Sequence, residues 1–330
     1  MKFRRATSRR ADHVFTLFLP GIESAPAAAL PRLPALERLL ARGRARPLTT
    51  SPWALLAQLA GGDARRWPVG PVSALGDGLG APRACLRVEP LGSQQEQGGV
   101  FRLPAAGLAI GRDEAAALAA AFQGAFGADG WRLEIATPER WYLVAQDDRA
   151  SAAGWAGFAG PAHMLREGER PAPPEPGLRR LLSEVEMLFH AHPVNTARRE
   201  LGAALIAGMH PWGGGLLDDV GPVATGGAGA PEDPFLAGLR RLGVLGAPPG
   251  ERMSAGRIDP DGVAWPAPIE TLQLATLGDI ERNWAAPLLS DLQRGRLDAV
   301  RIVTGRQVHD TRRADALRFW RRPRPVAELC

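Results

Sequence analysis

Apolar positions along this chain fall into short, separately bounded runs. Val14–Leu19 (VFTLFL), apolar but for Thr16, stops at Pro20-Gly21, which predicts a buried first strand and a turn. Leu33–Arg42 has Leu36, Leu39 and Leu40 on one helical face, with Glu37, Arg38 and Arg42 outside it. Trp53–Leu59 predicts a second short helix, stopped by Gly61-Gly62, and the Gly- and Pro-rich stretch 61–82 reads as a loop. Ala84–Glu89 and Gly99–Leu103 read as strands around a polar tip, Ser93–Gln97.

The middle of the chain carries the clearest periodicity. Asp113–Phe126 predicts a helix with Asp113 as N-cap and Leu118, Phe122 and Phe126 repeating at i+4. Trp131–Thr137 and Arg140–Gln146 predict a hairpin around Pro138-Glu139; Trp131, Leu133 and Ile135 alternate with Arg132 and Glu134. Pro171–Pro176 reads as a stiff connector. Gly177–His192 places Leu178, Leu181, Leu182, Val185, Leu188 and Phe189 on one stripe, and Pro193 ends it. Ala203–Met209 predicts a strand leading into Trp212 and three glycines, and 221–234 a loop. Pro234–Leu242 predicts a short helix and Glu270–Leu277 a strand. Gly278–Gly295 reads as helical, restarted by Pro287, and Leu297–Thr304 as a strand.

Strands alternate with helices at both ends, which predicts an α/β fold with a mixed, mostly parallel sheet flanked by helices. The hairpins of 84–145 form an antiparallel cap or edge. The reading is one domain over 1–330, with 1–12 a disordered basic tail. No apolar run approaches the ~18 residues of a membrane span. Val14–Leu19 is too short for a secretory core and no A-x-A site follows, so the chain reads as cytoplasmic.

Composition changes this picture in one place. Lys2 is the only lysine, so 39 of the 40 Lys+Arg are arginine, against 35 Asp+Glu. Arg, Ala, Gly and Pro share GC-rich codons, which is the plain reading of the excess; the functional one is anion binding. Arginines cluster only at the ends: Arg4, Arg5, Arg9 and Arg10, then Arg312, Arg313, Arg318, Arg321, Arg322 and Arg324. Around Trp320 they flank aromatics, as in base-stacking segments or in an edge strand with solvated arginines. Cys85 and Cys330 have no metal-ligand spacing.

Three stretches carry candidate chemistry. Glu186 and His190 stand at i and i+4, a spacing that can share a metal or form a polar face. His192-Pro-Val-Asn195, with Arg198 and Arg199, sits at a helix exit, able to present Asn195 and Arg198 to a ligand or to cap the helix end. Trp212, Gly213, Gly214 and Gly215 follow a strand, where backbone N–H groups can approach a phosphate, although the Lys and Ser/Thr of a P-loop are missing. No Ser-His-Asp set or G-x-S-x-G is defensible.

Arg140-Trp-Tyr-Leu143, Ser183 to Asn195 with Arg198 to Glu200, and Trp212 to Gly215 together resemble a proteobacterial family labelled RpfE-type regulatory protein or cofactor-independent phosphoglycerate mutase. The chain departs at Ile206-Ala-Gly-Met-His-Pro-Trp212, where the family has an Asn and an earlier Trp. The mutase label implies an alkaline-phosphatase-like fold, two divalent metals (Mn²⁺ or Zn²⁺) and a phosphorylated serine. The framework resembles that superfamily at Leu33–Gly43, Ser51–Gly61 and Ala299–Gly305. At the matching chemical positions stand Leu19-Pro20-Gly21, Pro52-Trp53 beside Ser51, and Gly305-Arg306. The resemblance therefore implies a non-catalytic regulatory or ligand-binding protein with no metal. Its expected binding surface is His192, Asn195, Arg198, Trp212 and Gly213–Gly215, for a small phosphorylated ligand or a protein partner. Two alternatives stand beside it. One is an active mutase or phosphatase using Ser51 with ligands such as Asp63, Asp77, His190 or His309; the other is nucleic-acid binding through the arginine-rich ends, the less expected partner class.

Overall fold

The computed structural model describes residues 13–24, 31–61, 67–80, 82–96, 99–103, 105–146, 176–217, 233–245, 263–264, 274–318 and 320–328. The tail 1–12, most of the 171–176 connector, most of the 221–234 loop and Asp63 lie outside them. Along the chain run β1 (Val14–Phe18), α1 (Pro34–Arg42), β2 (Arg44–Pro47), α2 (Pro52–Leu59), α3 (Val69–Gly76), β3 (Ala84–Glu96) and β4 (Gly99–Leu103). Then come α4 (Arg112–Phe126), β5 (Trp131–Thr137), β6 (Arg140–Ala145), α5 (Pro176–His190), α6 (Pro193–Glu200), β7 (Leu205–Leu216) and α7 (Pro234–Arg241). The last are β8 (Val263–Ala264), α8 (Leu274–Ile280), a π-helical turn (Glu281–Ala285), α9 (Ala286–Gln293), β9 (Ala299–Val303), β10 (Gln307–Arg312) and α10 (Arg313–Ala316). The chain divides into two compact units: Met1–Leu48 with Pro248–Pro266 and Gln273–Cys330, and Thr49–Ala247 with Ala267–Leu272.

The first unit is an α/β layer. Its sheet has the order β2-β10-β9-β1-β8. β1 is parallel to both β9 and β8, so the core of the sheet is parallel, while β10 runs antiparallel to β9 and β2. Phe15, Leu17, Phe18, Val300, Ile302 and Val303 are buried, as expected of largely apolar strands covered on both faces. α1 buries Leu36, Leu39 and Leu40 as its period predicts. It also buries Glu37, which the amphipathic pattern put outside. Arg32 explains this: it donates two hydrogen bonds to the Glu37 carboxylate, at 2.8 and 2.7 Å, and holds it below the usual carboxylate range. The Glu281 carboxylate accepts the N–H groups of Ala35 and Leu36, satisfying two orphan donors at the start of α1.

The second unit is an antiparallel sheet with β3 as its long central strand. The path is β4-β3-β6-β5, and β7 pairs with β3 along its other edge. One face buries Leu86, Val88, Trp141 and Leu143 against α4 and α5, whose Leu118, Phe122, Leu178, Val185 and Phe189 fill the same core. The other face carries Cys85, Tyr142 and Val144, which pack with Ala74 of α3.

Several expectations are corrected. The stretch read as a loop over 61–82 contains α3. Its glycines serve packing: a Cβ on Gly76 would lie 1.9 Å from the Pro234 carbonyl oxygen, and one on Gly238 1.9 Å from that of Val72. α3 and α7 therefore meet backbone to backbone. The helix read from Asp113 begins at Arg112 with Gly111 as its cap, and Glu114 accepts the Gly111 N–H at 2.7 Å. The segment after Pro193, read only as a helix exit, is α6, and the glycines read as following a strand continue β7. Of the strand read over Glu270–Leu277, residues 274–277 are the start of α8; alternation this short fits either period. The described residues near Trp320 are irregular rather than an edge strand. β2 and β10 left no apolar pattern: β2 is exposed throughout, and β10 buries His309 and Thr311 beside a single apolar Val308.

Candidate functional site

The HPVN stretch is a helix junction. α5 ends at His190, and α6 starts at Pro193 with His192 as its N-cap, whose Nδ1 accepts the Val194 N–H at 3.2 Å. Asn195 is buried and works on backbone. Its Nδ2 donates to the carbonyls of Phe189 (2.7 Å) and Ile206 (2.8 Å), and its Oδ1 accepts the Ile206 N–H (2.9 Å). Arg198 is buried too. It is bidentate to Glu114 at 2.8 and 2.7 Å and donates to the carbonyls of Leu108, Ala204 and Ala109. That contact holds the Glu114 carboxyl below its ordinary range. In this arrangement Asn195 and Arg198 tie α6 to the start of β7 and to the turn before α4.

Trp212 and Gly213–Gly215 stand further along β7, on the order of 20 Å of strand from Ile206. The two halves of the expected surface are not brought together. Trp212 is 1% exposed. Its ring lies 4.7 Å from that of Trp53, and the Arg87 guanidinium sits over it at 4.7 Å. Gly213 has φ +64°, and a Cβ there would meet Val69 at 2.8 Å, so close packing of α3 accounts for this glycine.

Around Trp212 the sheet face holds a charged cluster that the sequence did not join together, although Asp77 was a candidate metal ligand of the active-mutase alternative. Asp77 accepts two hydrogen bonds from Arg140, at 2.8 and 2.7 Å, and one from the Tyr142 hydroxyl at 2.5 Å. Asp233 caps α7 by accepting the Phe235 N–H at 2.8 Å. It is fully buried, and burial raises its carboxyl to about 6 against the pull of Arg87, the Phe235 N–H and Arg140. Burial also pushes the Tyr142 hydroxyl and the Cys85 thiol upward. Arg87 lies on the sheet face between hydrophobic neighbours, and the P-G-rich helix α3 supplies Asp77. No linear motif joins these residues, so only the fold assembles them.

A groove of about 570 Å³ opens beside α5, lined by Ser93, Ser183, Glu186, Met187, His190 and Asn195. Glu186 and His190 share its rim, and Met187 is 65% exposed. Asn195 is the one residue of the expected surface that lines it. Among the described residues no three His, Cys, Asp or Glu are grouped to hold a metal ion. His309 is buried, and burial lowers its imidazole.

The positions resembling catalytic ones can now be placed. Ser51 is the N-cap of α2, its Oγ accepting the Ala54 N–H at 3.1 Å, with Pro52 as the first helical residue. In the first unit, Pro20 and Gly21 turn the chain at the carboxyl end of β1. Gly305-Arg306 turns it between β9 and β10, where Thr304 Oγ1 accepts the N–H groups of Arg306 and Gln307. Glu23 sits at the same strand ends. Burial pushes its carboxyl up. Backbone hydrogen bonds from Glu23, Gly305 and Gly21 and the charge of Arg306 pull it back. An acidic residue two places beyond a strand-ending Pro-Gly is the sequence signal for Glu23. Carboxyl ends of parallel strands are where open α/β sheets place ligands.

The described structure is thus of α/β class, with a parallel-cored mixed sheet and a separate antiparallel sheet. No protein-family model matches the chain. No curated protein matches it. Among solved structures, it is similar to a cofactor-independent phosphoglycerate mutase from Thermoplasma acidophilum, at 19% identity and TM-score 0.37, covering 91% of this chain and 90% of that one. It is also similar to the PH0037 protein from Pyrococcus horikoshii, at 13% identity and TM-score 0.46, covering 91% of this chain and 86% of that one. Both scores are low, and neither places a residue. No described helix is long and apolar enough to cross a membrane.

Proposed function

We propose that this chain is a non-catalytic ligand-binding or regulatory protein on a phosphoglycerate-mutase-like, alkaline-phosphatase-like scaffold. The observation that carries the reading is Arg306. It stands where the resemblance calls for a metal-binding histidine, and its charge acts on Glu23 at the ends of β1 and β9. A guanidinium is permanently charged and has only donors, so it repels a divalent cation instead of ligating one. Backbone hydrogen bonds from Gly21 and Gly305 already engage Glu23, and Pro20 offers no ligand. This donor set does not fit two divalent ions.

The binding face we assign is the groove beside α5. It combines hydrogen-bonding groups from Ser93, Ser183, Glu186 and His190 with the apolar Met187, the mixture that orients a small ligand or a partner loop. It rests on α5, whose apolar stripe packs against the antiparallel sheet.

A phosphoglycerate mutase assay of the purified chain with Mn²⁺ tests the reading. The expected result is no turnover above a no-protein control. Turnover that disappears in Ser51→Ala would overturn it in favour of an active mutase.

A further inference from the structure

Resting on the reading of the groove beside α5 as the binding face, we propose that its ligand is a small organic cation, a protonated amine or a guanidinium carried on an apolar body. The charge of the lining points that way. Among the described lining residues Glu186 supplies a carboxylate and no lysine or arginine stands there, in a chain with 39 arginines. Glu184, two positions back, is already paired with Arg180 at 2.7 Å. Glu186 has no hydrogen-bond or ion-pair partner among the described residues. A phosphate, the group the sequence resemblance implies, would face this carboxylate with no described arginine or lysine of the lining to receive it.

Two features separate Glu186 from an acidic side chain on a solvated helix. The first is its placement. It lies over Gly208 of β7, where a Cβ would come 3.0 Å from its Cγ and 3.5 Å from its Oε1. Its stem and carboxylate therefore rest against a strand that carries no side chain at that point. The second is the apolar surface beside it. Met187 is 65% exposed, and Leu205 and Ala207 of β7 are half-buried along the same lining. A thioether side chain adapts its shape to the apolar group that meets it. Asn195 lines the groove without offering its amide, since the backbone of Phe189 and Ile206 engages it. Ser93, Ser183 and His190 offer further acceptors for the N–H groups of a cation. At about 570 Å³ the groove has the size of a small-ligand site. A carboxylate next to apolar surface is the complement of a charged head on an apolar body.

Binding to the full chain is measured by NMR of the methionine methyl groups, with the Met187 signal assigned by its loss in Met187→Leu. The probes share one hexyl chain: hexylamine, hexanol, hexanoate and hexyl phosphate. At neutral pH the amine is protonated, as a lysine side chain is. The expected result is a saturable shift of Met187 with hexylamine, about fivefold tighter than with hexanol and weakened by added salt. Hexanoate and hexyl phosphate should not saturate over the same range. Glu186→Gln should weaken hexylamine binding about fivefold and leave hexanol binding unchanged. Glu186 is exposed, so the melting temperature of that variant should match the parent. Gly208→Ala, which displaces the carboxylate, is a second variant expected to act in the same direction. Hexanoate or hexyl phosphate bound at Met187 more tightly than the amine, or hexanol bound as tightly, overturns the cation and leaves the groove as the binding face. A Met187 signal that no probe moves overturns both. Amine binding indifferent to Glu186→Gln also overturns the proposal.

Discussion

The antiparallel sheet of the second unit has two faces that solve burial in different ways. One is a conventional apolar core, in which Leu86, Val88, Trp141 and Leu143 meet α4 and α5. The other buries Arg87, Glu89, Tyr142, His210 and Trp212, with Asp77 and Asp233 supplied from α3 and from the cap of α7. The same strands feed both, since successive side chains alternate: Leu86 points one way and Arg87 the other. The apolar face is held by shape and tolerates swaps of similar volume. The polar face is held by partnered charges, and it fails when one partner is removed.

The comparison can be broken most sharply on the apolar side. Trp141 is fully buried, and its ring meets Phe189 at 6.2 Å. Trp141→Ala should cost about 4 kcal/mol of unfolding free energy, read by urea denaturation. On the polar side, Asp77→Asn leaves the buried Arg140 without its counter-charge and should cost about 3 kcal/mol. Replacing both members with a well-packed apolar pair should recover much of that loss, which no double substitution at Trp141 and Phe189 to alanine would do.

The polar face also has a pH signature. Asp233 is raised from 3.8 to about 6 in the folded state, so folding favours its protonated form. Its contribution is fully present below pH 4 and is lost as pH rises through about 6. Wild type minus Asp233→Asn should therefore show stability falling by on the order of 2–3 kcal/mol across that window. Asn still accepts a helix-cap hydrogen bond, so the difference isolates the titration. Glu23 adds in the same direction, while Glu37 and Glu114, both lowered, lose stability as pH falls. The smallest effect is expected at the groove. Met187→Ala should change stability by no more than about 0.5 kcal/mol, because an exposed side chain has little burial to lose.

The apolar face was legible in the sequence. The i+4 repeat of Leu118, Phe122 and Phe126 and the alternation of Trp131 and Leu133 name its residues directly. Periodicity reports apolar burial and nothing else. α3 was hidden because Gly70, Pro71 and Gly76 read as loop punctuation, although here glycine is what lets two helices touch. The charged cluster was hidden because Asp77, Arg87, Arg140 and Asp233 are far apart in the chain. His192, Asn195 and Arg198 were visible as a motif. What the motif could not reveal is that Asn195 and Arg198 direct their hydrogen bonds to backbone and to Glu114.

The proposed function requires that Arg306 and Glu23, at the carboxyl ends of β1 and β9, bind no divalent metal. Calorimetric titration of the purified full chain with Mn²⁺ tests this most directly. The account predicts no stoichiometric uptake, only weak heats that added salt removes. Two Mn²⁺ ions bound per chain with micromolar affinity would contradict it.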